Sequence, residues 1–152
     1  MVQIAMTEFA DAKPLYVHRS TVWFDELDMV GVLHNARYAI HVERAMSAWY
    51  HSLTDQDPSD SVVVVRQYNI EFLRPFTQQR GELVVECGLG RLGTTSAVFT
   101  FRALSYTGDG TEDRTGDGTE IEHARGIRAI VKVDPQTLRP IPWSDRYREL
   151  VG

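Results

Sequence analysis

Apolar residues recur three and four positions apart in only one long stretch of the chain. Ala39, Val42, Met46, Trp49 and Leu53 fall on one stripe of a helix. That helix opens at Asn35 and is about 18 residues long, roughly 27 Å at 1.5 Å per residue. Elsewhere the period is two. Leu15 to Phe24, rich in β-branched and aromatic residues, predicts a first strand. Val62 to Leu73 predicts a second, whose later half sets Tyr68, Ile70 and Phe72 against Gln67, Asn69 and Glu71. Leu83, Val85, Cys87 and Leu89 share one face of a third, opposite Glu82 and Glu86. Ala97, Phe99, Phe101 and Ala103 do so in a fourth, and Ile121 to Val133 makes a fifth. Trp143 to Leu150 predicts a short terminal turn of helix. One strand, one long helix and then four strands on short connections imply an α+β layer, an antiparallel sheet packed on a helix.

The breaks between elements carry their own signals. Asn35 is read as the N-cap of the helix, because its side-chain oxygen can accept an orphan N–H of the first turn. The polar linker Thr54 to Asp60 stops the helix, and Pro75 ends the second strand. Residues 1–13 read as a loose lead-in. Thr107-Gly108-Asp109-Gly110-Thr111-Glu112 recurs as Thr115-Gly116-Asp117-Gly118-Thr119-Glu120, so residues 107–120 form a duplicated Gly/Asp-rich hairpin loop, where insertions are tolerated. At 152 residues the whole chain, 1–152, is expected to be a single domain with a substantial core.

Composition removes several functional classes. A net charge of −5 argues against non-specific nucleic-acid binding, which needs a basic face. The single cysteine, Cys87, excludes an intrachain disulfide and any multi-cysteine metal site. No run approaches the roughly 20 apolar residues of a membrane span, and Met1 to Lys13 lacks the apolar segment of a signal peptide. No membrane association and a cytoplasmic location are the expectation. Gly88-Leu89-Gly90-Arg91-Leu92-Gly93 matches a dinucleotide-binding pattern, but an alternating strand follows it where a helix is required. It reads instead as a strand bend and turn. Asp113, Thr115, Asp117 and Gly118 echo the start of a calcium loop whose closing glutamate is replaced by Ala124. The histidines His18, His34, His41, His51 and His123 show no compact ligand spacing, so no metal is expected and most are read as lone surface side chains. No G-x-S-x-G elbow is present.

Candidate chemistry gathers in Asp28-Met29-Val30-Gly31-Val32-Leu33-His34-Asn35-Ala36-Arg37-Tyr38. This stretch aims a carboxylate, Asp28, from a loop toward the positive end of a helix, whose free N–H groups can hold an anion. His34, beside the cap, is a candidate substrate contact. Asp28 also has a purely structural reading, as a cap or dipole partner, which Asp25 and Glu26 share.

The string Asp28-x-x-Gly31-x-x-x-Asn35-x-x-Tyr38, followed by Glu43-Arg44-Ala45, resembles the signature of hotdog-fold acyl-CoA thioesterases of the 4-hydroxybenzoyl-CoA thioesterase type. Tyr68 to Pro75, Gly81-Glu82-Leu83, Arg91 to Ser96, Val133-Asp134 and Arg139 to Pro142 also look like that family, so the resemblance runs from about Val17 to about Trp143. It implies a five-stranded sheet wrapped around the helix, dimerised so that the sheets continue, with active sites at the interface. It implies Asp28 as the catalytic carboxylate and the Asn35 backbone N–H as the donor polarising the thioester carbonyl. Gly31, His34, Tyr38, Arg91, Thr94, Thr95 and Ser96 are the substrate-binding positions that follow. The chain departs from the family where Glu26 stands for a first aspartate and where Val30 replaces a small or polar residue. The expected activity is hydrolysis of an acyl or aroyl thioester to the free acid and CoA. No cofactor is expected besides the CoA of the substrate, and the expected partner is a second copy, in a homodimer or a dimer of dimers. A non-catalytic acyl-thioester-binding protein and an acyl-carrier-protein thioesterase are the alternatives.

Overall fold

The computed structural model describes residues 14–78, 81–107 and 119–152. The elements are β1 (Pro14–Ser20), α1 (Tyr38–Ser52), β2 (Val63–Phe72), β3 (Leu83–Leu92), β4 (Ser96–Tyr106), β5 (Glu120–Lys132) and α2 (Asp145–Val151). Short 3₁₀ turns stand at Phe24–Glu26, Asn35–Arg37 and Pro58–Ser61, the second running directly into α1. The strands form one antiparallel sheet in the order β1-β3-β4-β5-β2. Register shifts at Pro14/Tyr16, Val65/Gln67, Leu89/Arg91 and Ala103/Leu104 bend it, and bulges of this kind increase local twist and curvature. The sheet wraps α1 in the expected α+β hotdog arrangement.

The helix buries Tyr38, His41, Val42, Ala45, Met46 and Trp49. Against it lie Leu83, Val85 and Cys87 of β3, Phe99 and Phe101 of β4, and Ala124 and Ile130 of β5. The expected stripe is thus centred correctly, with Ala39 only half-buried and Tyr38, His41 and Ala45 added to it. Gly126 marks the tightest approach in the sheet. A Cβ there would lie 1.8 Å from the Asn69 carbonyl oxygen and 2.8 Å from the Phe101 ring.

Three boundaries differ from the sequence reading. The first strand ends at Ser20, and Trp23 and Phe24 are exposed at 62% and 80%. Asn35 is not the cap: His34, in extended conformation, accepts the Ala36 N–H on Nδ1 at 3.1 Å, and Asn35 is the first residue of the 3₁₀ turn. The linker after α1 is not uniformly solvated either. Asp60 is buried, accepting from Lys132 Nζ at 2.8 Å and from the Ser144 N–H and hydroxyl at 3.0 and 2.5 Å, so it ties the linker to β5 and to the cap of α2. Residues 1–13 and most of the duplicated loop, 108–118, lie outside the described residues.

Candidate active site

Asp28 opens a tight turn. Its carbonyl accepts the Gly31 N–H at 3.0 Å, its N–H donates to the Val32 carbonyl at 2.9 Å, and Gly31 has φ +77°. Aspartate at the first position and a positive-φ glycine at the fourth is the pattern of a three-residue hairpin loop, where only glycine takes that backbone without strain. The side chain closes the turn as well: Oδ1 accepts the Val30 N–H at 2.9 Å and the Val32 N–H at 3.2 Å. Among the described residues nothing hydrogen-bonds Oδ2. The structural role of Asp28 therefore uses one carboxylate oxygen only.

The same hairpin delivers the helix start. Leu27 bridges Leu33, and the His34 N–H donates to the Glu26 carbonyl at 3.0 Å. The hairpin is fixed from below by the segment after β2, where the Leu33 N–H donates to the Phe76 carbonyl at 2.8 Å and Val32 bridges Thr77. Leu33, Tyr38 and Phe76 are buried together. Burial pushes the Tyr38 phenol up to about 12, against a hydrogen bond with the Phe76 backbone, so it stays neutral and acts as an anchor. At the 3₁₀ turn the Ala36 N–H is taken by His34 and the Arg37 N–H by the His34 carbonyl. The Asn35 N–H has no partner among the described residues.

Beneath the hairpin runs a buried hydrogen-bond chain that the sequence reading missed. Glu26, 4% exposed, accepts the Trp23 N–H on Oε2 at 2.8 Å and meets His41 Nε2 through Oε1 at 2.7 Å. A carboxylate only accepts, so Nε2 carries the proton, and the Ser20 hydroxyl donates to Nδ1 at 2.5 Å. Burial lowers the His41 pKa below the ordinary 6.5, outweighing the lift from Glu26, while Arg44 and His18 push the same way. The neutral ring satisfies both neighbours. Serine, histidine and carboxylate here repeat the groups of a hydrolase triad, yet Ser20 is 3% exposed and faces the core. The chain holds the hairpin and carries no nucleophile. His123 is the second histidine wrongly expected at the surface. It is fully buried, its Nδ1–H donating to the Arg74 and Pro75 carbonyls at 3.0 and 3.1 Å and its Nε2 meeting the Ser105 hydroxyl at 2.6 Å. It thereby fixes the segment that ends at Phe76. The sequence signal available was position: His41 lies three residues after Tyr38 and four before Ala45, on the buried stripe.

The expected site residues divide into two groups. Asp28, Gly31, His34, Asn35 and Tyr38 are brought together by the hairpin and helix start. Arg91, Thr94, Thr95 and Ser96 lie at the other end of the sheet, at the far end of β3, in the turn after it and at the start of β4, where Arg148 donates to the Gly93 and Thr94 carbonyls and Trp143 Nε1 to the Ser96 carbonyl. The ten residues of β3 span up to about 30 Å. One chain does not join the two groups. The glycine-rich run at 88–93 continues β3 and turns into β4 through the Gly93 N–H donating to Ser96, as expected for a bend rather than a nucleotide loop. Among the described residues no group of three or more histidine, cysteine, aspartate or glutamate side chains is placed to hold a metal. No described helix is long and apolar enough to cross a membrane.

The family model of the thioesterase superfamily matches residues 30–111. No curated protein sequence matches the chain. Among solved structures, the PA2801 protein of Pseudomonas aeruginosa, a candidate thioesterase, is 26% identical with a TM-score of 0.72, covering 92% of this chain and 100% of that one. A candidate acyl-CoA thioesterase from Xanthomonas campestris is 23% identical at a TM-score of 0.64, over 81% of this chain and 96% of that one. A thioesterase from Thermus thermophilus, solved with coenzyme A and zinc, shares the fold at 20% identity and a TM-score of 0.69, over 90% of each chain. With the family match covering more than half of its length and the sheet-and-helix frame in place, the chain belongs to the thioesterase superfamily and is a thioester hydrolase of hotdog fold.

Proposed function

We propose that the chain hydrolyses acyl-CoA thioesters at Asp28, with the Asn35 N–H as oxyanion donor. The observation that carries this is the hairpin from Glu26 to His34, which presents an Asp28 carboxylate oxygen on one arm and leads at the end of the other into the Asn35 N–H, each without a partner among the described residues. A thioester carbonyl lying on the Asn35 N–H meets the positive end of the helix, where developing oxyanion charge is stabilised. Asp28 Oδ2 then attacks the carbonyl carbon, or takes a proton from the water that does. The thiolate leaves without acid assistance, since a thiol pKa is about 8.5. The acyl-CoA candidate from Xanthomonas campestris and the coenzyme A complex from Thermus thermophilus support CoA as the carrier.

The working unit of this proposal is a dimer or a dimer of dimers. Trp23, Phe24, Met29 and Val30 flank Asp28 in sequence and are all more than 60% exposed, apolar surface that a second copy would cover. Strand β2 is a sheet edge with Val64 and Val65 exposed at 42% and 43%, and an uncovered edge of this length is a pairing site. A partner would also supply the distant Arg91 and Thr94–Ser96 group. Thiol release from a panel of acyl-CoA thioesters tests the activity, with acyl-carrier-protein thioesters run beside them. Turnover of CoA thioesters is the expected result. Turnover of carrier-protein thioesters alone would replace CoA with that carrier, and binding without turnover would leave an acyl-thioester-binding protein.

A further inference from the structure

A cavity of about 530 Å³ runs along the flank of α1, from Ile40 near its start to His51 near its end. That volume lies within the range of roughly 300–1,000 Å³ typical of small-molecule pockets. Met46, Trp49, Phe99 and Ile130 give it an apolar lining, and Glu43, Arg44, Asp60 and Arg128 bring charge to its wall. Arg128 comes from the inner face of β5, whose neighbours at every second position, Ala124, Gly126 and Ile130, are small or apolar and buried.

The Arg128 side chain is only 11% exposed, and its charge is poorly matched. One guanidinium nitrogen lies 3.5 Å from Glu43 Oε1, but the Glu43 side chain is 53% exposed. Arg128 Nε is buried without a hydrogen-bond partner among the described residues. The other acid on the cavity wall, Asp60, is held by Lys132 and Ser144. Tyr68, Tyr147 and Cys87 all feel the Arg128 charge, and burial keeps each protonated; the Cys87 thiol is pushed up to about 12. A buried charge is costly unless paired and hydrogen-bonded. The planar guanidinium fork is shaped to bind a carboxylate through two parallel bonds.

We propose that Arg128 makes this cavity a pocket for an acyl group ending in a carboxylate, so that the preferred substrates are CoA half-thioesters of dicarboxylic acids. The inference rests on the reading of Asp28 and Asn35 given above. Glu43 is eight residues beyond Asn35, about 12 Å along the helix. A thioester carbonyl at Asn35 with its chain laid along the flank of α1 brings a distal carboxylate to Arg128. An unsubstituted chain would cover the guanidinium without pairing its charge, which is the basis of discrimination against it.

The test is kcat/KM for an ω-carboxyacyl-CoA against the unsubstituted acyl-CoA of equal chain length, in the wild type and in Arg128→Met, Arg128→Lys and Glu43→Gln. The wild type should favour the carboxylated substrate at least tenfold. Arg128→Met should lower that ratio by tenfold or more, Arg128→Lys by less, and Glu43→Gln should raise it by freeing the fork. Calorimetric titration with the free dicarboxylic acid reads the pocket without turnover, and Arg128→Met should weaken binding at least tenfold. A substrate ratio indifferent to Arg128→Lys and Glu43→Gln, with no dicarboxylate bound, overturns the proposal even if Arg128→Met fails to fold. Dicarboxylate binding through Arg128 in a protein that hydrolyses neither thioester would support the pocket and overturn the Asp28 reading.

Discussion

Replacing His41 with leucine removes the centre of the buried hydrogen-bond chain beneath the Asp28 hairpin. His41 is fully buried and joins the Ser20 hydroxyl at 2.5 Å to the Glu26 carboxylate at 2.7 Å. A hydrogen bond to a charged group contributes about 1.5–3 kcal/mol and a neutral one about 1 kcal/mol. Leucine also leaves a carboxylate desolvated with only the Trp23 N–H as partner. A loss of about 3 to 4 kcal/mol is therefore expected, near the low end for breaking a buried charged pair. In a domain of this size that corresponds to a fall in Tm of roughly 6–16 °C. Urea unfolding with an unchanged m-value is the assay, run with Glu26→Gln and the double variant. The two single losses should sum to more than the double loss, because His41→Leu removes the donor and Glu26→Gln the charge of the same bond. A His41→Leu loss under about 1 kcal/mol, or strict additivity with Glu26→Gln, would refute the claim that this chain holds the hairpin.

Other expectations follow from the same structure. Gly126→Ala places a Cβ 1.8 Å from a backbone oxygen, so β2 and β5 must separate, and a loss of more than about 2 kcal/mol in urea unfolding is expected. Stability should fall under acid: the folded pKa of both His41 and His18 lies below 6.5, so their contribution is complete above pH 6.5 and is lost as pH falls through the folded values. A Tm profile flat from pH 7 to pH 5 would contradict this. Asn35→Pro deletes the unpartnered N–H while suiting both the first helical position and the extended His34 before it. Its kcat should drop about a hundredfold with the fold kept. Ala36→Pro removes an N–H already held by His34 and should retain most activity; the opposite ranking would move the oxyanion donor to Ala36.

Periodicity located the helix and all five strands because burial imposes a period of 3.6 on one and 2 on the others. The limits of that signal show at particular residues. Thr21 to Phe24 carry strand composition, yet the chain has already turned into the hairpin, since Trp23 and Glu26 form a local 3₁₀ cap. His41, His123 and Asp60 are polar and were read as solvated. Each is buried because its partners, Ser20 and Glu26, Ser105, and Lys132 and Ser144, arrive from 15 to 84 residues away in sequence. Pairings at that range leave no local trace. The Asp28 to Tyr38 half of the candidate site was legible because a turn glycine and a helix start occur within eleven residues. Arg128 was not, because nothing in an alternating strand says which inward position faces a cavity.

The most direct test of the central claim is thiol release by purified Asp28→Asn under saturating acyl-CoA. Asparagine keeps the oxygen that accepts the Val30 and Val32 N–H groups, so the turn survives and only the charge on the second oxygen is lost. The account predicts an unchanged melting transition and a kcat at least about a hundredfold lower. Wild-type turnover in a folded Asp28→Asn protein would make Asp28 a turn residue and place the chemistry elsewhere.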